Sequence, residues 1–177
     1  LDEASGHSAA DSGYEGTDGV VTNSGGEASP VHTWVTPANS RAGNALDVSS
    51  GWGYVDAGNL PIAGSFTANI WVDPNNVGAD WRPFISKWNS SGGTRLFWLG
   101  QDDTAGVIRF GISTTGANEL ALDSAGVAIG NHCLQMVTAV WDETTKYQKL
   151  YVNGVLNASI ERAAVSLWPV RTGAVRI

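Results

Sequence analysis

The chain contains one cysteine, Cys133, in 177 residues. No intrachain disulfide can form, and no zinc site can be built from thiolates. Cys133 lies in the apolar run "HCLQMVTAVW", where a buried, inert thiol is expected. Charge is scarce as well: Asp, Glu, Lys and Arg make up 15% of the residues. The ten Lys and Arg never cluster and the net charge is −7, so nucleic acid and anionic membrane surfaces are poor partners. His7, His32 and His132 are far apart and show no ligand spacing. No apolar run reaches the roughly 18 residues of a membrane-spanning helix. No signal-peptide pattern is read at the start. The chain opens at "LDEASG" without a Met, as a processed or excised piece would.

Glycine, at 22 residues, and tryptophan, at 8, are plentiful. Gly-rich turns with many aromatics point to short β-strands. With 42% hydrophobic residues, one domain over 1–177 with a sizeable core is expected. Residues 1–30 are rich in Gly, Ser, Asp and Glu, and read as a long loop or a pair of short strands. From Asn44 onward the runs "NALDVS", "GYVDAG", "SFTANIWVDP", "RPFISKW", "RLFWLGQ", "GVIRFGIS" and "ELALDS" read as strands. In "SFTANIWVDP", Phe66, Ala68, Ile70 and Val72 share one face, and Thr67, Asn69 and Trp71 the other. "HCLQMVTAVWD" is the most apolar and is placed centrally. In "KYQKLYVNGVLNAS", Asn153-Gly154 between alternating apolar residues predicts a two-residue hairpin turn. The pattern predicts an all-β, two-sheet antiparallel β-sandwich.

Several segments together resemble a laminin-G-like jelly roll of the concanavalin A-like lectin/glucanase superfamily. "LDEASGHSAADSGYEGTDGVV" resembles the family's opening strand and Asp-Ser-Gly loop. "NALDVSSGWGYVDAGNL" resembles its second motif, and "SFTANIWVDP" its Phe-Thr…Trp-Val strand. "NHCLQMVTAVWDETTKYQKLYVNGVLNAS" resembles its most distinctive run, with Asn131-His132-Cys133-Leu134 where the family usually has Trp-His-His-Val. The fold so implied carries lectins, adhesion modules and some hydrolases, so it does not name an activity. The family's last strand would follow Ile177. The resemblance therefore implies a module cut from a larger protein, with a sheet edge near "AVRI" covered by a neighbouring domain or subunit.

Glucanases of this superfamily carry two carboxylates at alternate positions of one strand, where both face one glycosidic bond. No two acidic residues of this chain stand at i and i+2. No Ser-His-Asp order and no nucleophile elbow is present. Catalysis is therefore not expected. Sugar binding needs aromatic plates at a loop rim with polar groups for hydroxyls. Trp52, Tyr54, Trp81 and Trp88 hold loop-edge positions and are the candidate ligand-binding residues. Trp71 and Trp141, inside strong strands, are expected in the core, whereas Trp98 fits either the core or a ligand face. Calcium, which many members of the family hold, would take Asp11, Glu15 and Asp18 of "DSGYEGTDG".

The leading functional expectation is a non-catalytic module that binds glycan or another surface ligand, within a secreted, cell-surface or virion protein. A structural or assembly module, such as a surface-layer or virion decoration domain, is the alternative. A glycoside hydrolase ranks third.

Overall fold

The computed structural model describes residues 7–10, 18–23, 33–36, 44–48, 53–89, 93–169 and 172–177. Among them are thirteen strands and no helix. In chain order these are β1 Ser8–Ala9, β2 Gly19–Asn23, β3 Thr33–Val35, β4 Ala45–Asp47, β5 Gly53–Asp56, β6 Phe66–Val72, β7 Arg82–Lys87, β8 Phe97–Gln101, β9 Ile108–Ile112, β10 Leu120–Asp123, β11 Gln135–Asp142, β12 Tyr147–Val152 and β13 Val155–Glu161. They divide into two compact units, residues 1–60 with 174–177, and residues 61–173.

In the first unit the strands pair in the order β1-β2-β5, and β3 pairs with β4. Ala9, Val21 and Val55 are buried together, with Trp34, Leu46 and Ile177 packed against them. The C-terminal residues run antiparallel to β5. The Val55 amide donates to the Ile177 carbonyl at 2.7 Å, and the Ala57 amide to that of Val175 at 2.9 Å.

The second unit is a sandwich of two four-stranded antiparallel sheets, β10-β9-β8-β7 and β13-β12-β11-β6. Alternation along each strand decides what is buried. Phe97, Leu99, Ile108, Phe110 and Ile112 of one sheet meet Ala68, Val137, Ala139, Trp141 and Leu150 of the other in a single core. Phe66 bridges the sheets, its ring centroid 4.9 Å from Phe97 and 6.0 Å from Phe110.

Two residues depart from the sequence reading. Trp71 is not core: it is 47% exposed, because it shares the outward parity of Thr67 and Asn69 while Ile70 and Val72 face in. Cys133 is exposed rather than buried. The apolar run does not begin as a strand. His132 adopts φ 53° and its amide donates to the Pro74 carbonyl, so β11 starts only at Gln135.

The hairpin between β12 and β13 is as read. Asn153 and Gly154 both have positive φ, at 50° and 79°, as a type I′ turn requires. Asn153 Oδ1 also accepts from the Met136 amide at 2.9 Å. A Cβ on Gly154 would meet nothing within 4 Å, so any cost of substitution is conformational. Gly154→Val is expected to cost about 1–2 kcal/mol. Urea denaturation checks this, and an unchanged midpoint would contradict it.

Trp141 is fully buried, and its indole N–H donates to Glu143 Oε2 at 2.7 Å. Lys146 Nζ donates to Glu143 Oε1, also at 2.7 Å. Burial alone would raise the Glu143 carboxyl. Hydrogen bonds from Lys146, Ser166 and Trp141 outweigh it and lower the pKa from an ordinary 4.5 to about 2. A depressed carboxyl stabilises the fold fully above its unfolded pKa, and that contribution fades as pH falls toward the folded one. Wild type should therefore melt above Glu143→Gln at neutral pH, with the gap closing between 4.5 and about 2. A gap independent of pH would contradict this.

Candidate functional site

The outward face of the β7–β10 sheet carries an open cleft of about 300 Å³ lined by Trp81, Pro83, Trp88, Trp98 and Glu119. Trp98 reaches it by parity: its neighbours Phe97 and Leu99 point into the core, so Trp98 points out. Its indole meets that of Trp81 edge to face, with centroids 5.6 Å apart.

Trp81 stands just before β7, on a loop that two side chains fasten. Gln101, itself buried, donates from Nε2 to the carbonyls of Gly78 and Asp80. Arg82 donates to the Asn76 carbonyl and, at 3.1 Å, to Asp80. A β-bulge between Pro83 and Ile85 then sets Pro83 opposite Gly100. This close approach requires glycine, since a Cβ on Gly100 would lie 2.2 Å from the Arg82 carbonyl oxygen. Strand β8 thus supplies both the Trp98 plate and the gap that the bulge occupies.

Each flanking tryptophan has a guanidinium over its ring. Arg109 lies 4.9 Å from the centroid of Trp81, and Arg95 lies 5.3 Å from that of Trp88. Arg109 is held in turn by two carboxylates. Its Nε donates to Asp123 at 2.6 Å, its Nη2 donates to Asp123 at 2.8 Å, and Nη2 also lies 3.0 Å from Asp102. The hydrogen bond donated to Asp123 raises the guanidinium pKa against a smaller opposing effect of burial. Glu119 enters from the β9–β10 loop. Asn118 orders that loop by accepting on Oδ1 from Ser113, Thr114 and Thr115.

Of the residues picked from sequence, Trp81 and Trp88 come together in this cleft. Tyr54 belongs to the first unit, where the Arg176 guanidinium stacks on its ring at 4.5 Å. Trp52, Asp11 and Glu15 lie outside the described residues, and Asp18 is exposed. No group of three or more His, Cys, Asp or Glu that could hold a metal occurs among the described residues. The sequence reading left Trp98 open and missed Glu119 and the two arginines. The alternation of "RLFWLGQ" could have assigned Trp98. Nothing in the local sequence links Glu119 to tryptophans that precede it by 21 residues or more.

The arrangement offers aromatic plates beside a carboxylate able to accept hydrogen bonds, on one sheet face. It can stack an apolar ring face and hold hydroxyl groups. No helix of the described residues is long and apolar enough to cross a membrane.

A family model described as the concanavalin A-like lectin/glucanases superfamily matches residues 47–177. No curated protein sequence matches the chain. Solved structures share the fold at low identity. The CBM40 module of the Ruminococcus gnavus IT-sialidase, bound to α2,3-sialyllactose, is 22% identical with a TM-score of 0.53. That match covers 65% of this chain and 63% of the other, so the present chain spans less than two thirds of the CBM40 chain. Domain 4 of the extracellular arabinanase AbnA of Geobacillus stearothermophilus, in complex with arabinotriose, is 14% identical with a TM-score of 0.63, over 90% of this chain and 72% of that one. The binding domain of botulinum neurotoxin serotype D is 15% identical with a TM-score of 0.59, over 92% of this chain and 38% of that one.

Proposed function

The chain belongs to the concanavalin A-like lectin/glucanases superfamily, and on that premise we propose that it is a non-catalytic recognition module that binds glycan. The observation that carries this reading is the cleft in which Trp81, Trp88 and Trp98 converge on one sheet face with Glu119. A sugar ring stacks its C–H face on an indole while its hydroxyls donate to a carboxylate. Structures of the same fold solved with sialyllactose and with arabinotriose support glycan as the ligand class. The arabinanase whose domain 4 shares the fold is extracellular, which supports a secreted or surface-exposed setting for this module.

Screening the whole chain against an oligosaccharide array, then titrating hits while following tryptophan fluorescence, tests the reading. Saturable binding that changes the emission is expected. Absence of binding to every glycan would leave the structural or assembly role as the better reading.

Calcium at Asp11, Glu15 and Asp18 is a subsidiary proposal. It predicts a higher melting temperature in calcium than in EDTA, and equal melting temperatures would refute it.

A further inference from the structure

Gly111 stands opposite Trp98 on the neighbouring strand and opposite Ala121 on the other side. It is an outward-facing position with no side chain, and something else fills the space. A Cβ on Gly111 would lie 2.5 Å from Glu119 Oε1 and 3.2 Å from both Cγ and Cδ of Glu119. The Glu119 side chain therefore lies across the glycine and lines the cleft together with Trp98.

We infer that Glu119, laid over Gly111, is the polar reader of this cleft and restricts it to glycans that carry no carboxylate. The inference rests on the glycan-binding reading above and names the ligand class of the same site. A carboxylate only accepts hydrogen bonds, so it selects for hydroxyl donors, and neighbouring sugar hydroxyls can satisfy both of its oxygens. An anionic sugar would instead bring a second carboxylate against it, a like-charge contact.

The two nearby guanidiniums already make contacts of their own. Arg109 spends Nε and Nη2 on Asp102 and Asp123 while its plane covers Trp81. Arg95 donates from Nη1 to the Ala117 carbonyl and covers Trp88, while its Nε, which has no hydrogen-bond partner, is buried out of a ligand's reach. Three carboxylates, Asp102, Asp123 and Glu119, against these two guanidiniums leave a net charge of −1 around the cleft. The chain as a whole, at −7, adds to the repulsion.

The test is a set of matched pairs: lactose against sialyllactose, and neutral xylo-, arabino- and cello-oligosaccharides against their uronate-bearing counterparts. Each is titrated against wild type, Glu119→Gln and Gly111→Ala by calorimetry. Wild type should prefer the neutral member of each pair about tenfold or more. Glu119→Gln should weaken neutral binding and bring the ratio toward one. The three atoms nearest a Cβ at Gly111 all belong to the flexible Glu119 side chain, so the melting temperature of Gly111→Ala should stay near wild type while the preference collapses in the same way. Wild type binding the anionic member equally or better, or either variant keeping the wild-type ratio, would overturn the role of Glu119 while leaving glycan binding intact. No binding of any glycan, neutral or anionic, would overturn the parent reading and this one with it.

Discussion

Gln148→Leu is expected to destabilise the 61–173 unit by about 2–4 kcal/mol, although leucine nearly matches glutamine in volume. Gln148 occupies an inward position of β12 and is fully buried. Its Nε2 crosses to the opposite sheet, donating to the carbonyls of Phe110 at 2.5 Å and Leu120 at 3.1 Å. Its Oε1 accepts from Arg162 Nε at 3.0 Å, and Arg162 also donates to the Ala121 carbonyl. One side chain thus ties the two sheets through a satisfied polar network inside an apolar core. Leucine fills the space but leaves buried carbonyls and an Arg162 N–H without their partner. The cost is the desolvation of those orphaned groups rather than lost packing. Urea denaturation of wild type and variant measures it. A loss below about 0.5 kcal/mol would mean that water or a relaxed backbone replaces the tie.

Trp98→Ala is expected to weaken glycan binding about 30-fold or more, the ~2 kcal/mol of a central aromatic anchor. Trp98 is the plate between Trp81 and the Glu119 carboxylate. It points away from the core that Phe97 and Leu99 fill, so its removal should leave the sandwich folded. Trp71→Ala is the matched control, an exposed tryptophan on the other sheet whose cross-strand partner is Met136. Trp71→Ala should leave affinity unchanged. If both variants lose binding equally, the site is not the cleft.

Alternation made much of the sandwich legible. Phe66, Ala68, Ile70 and Val72 face the core as their spacing requires, and Asn153-Gly154 marks the hairpin because only positive φ closes that turn. Trp71 shows where residue type misled. Its parity placed it outside, and its size and setting in a strong strand suggested the core. Cys133 was misplaced because hydrophobicity alone does not locate a strand start, whereas the positive φ of His132 does. Half of the candidate ligand set, Trp81 and Trp88, converges in the cleft. Trp98, Glu119 and Gly111 did not stand out because the cleft is assembled across strand pairs. A register is needed to bring Trp98 beside Gly111, and a bulge to bring Trp81 over Trp98.

The most direct test of the cleft is a two-dimensional NMR titration of the ¹⁵N-labelled chain with the oligosaccharide that gives the strongest array signal, following the indole N–H signals of the eight tryptophans. Signals of Trp81, Trp88 and Trp98, each assigned by its single-residue variant, should shift together and saturate with one affinity. Those of Trp71, exposed on the other sheet, and Trp141, sealed in the core and bonded to Glu143, should stay in place. Shifts confined to Trp71, or binding that leaves the three cleft signals unmoved, would contradict the assignment.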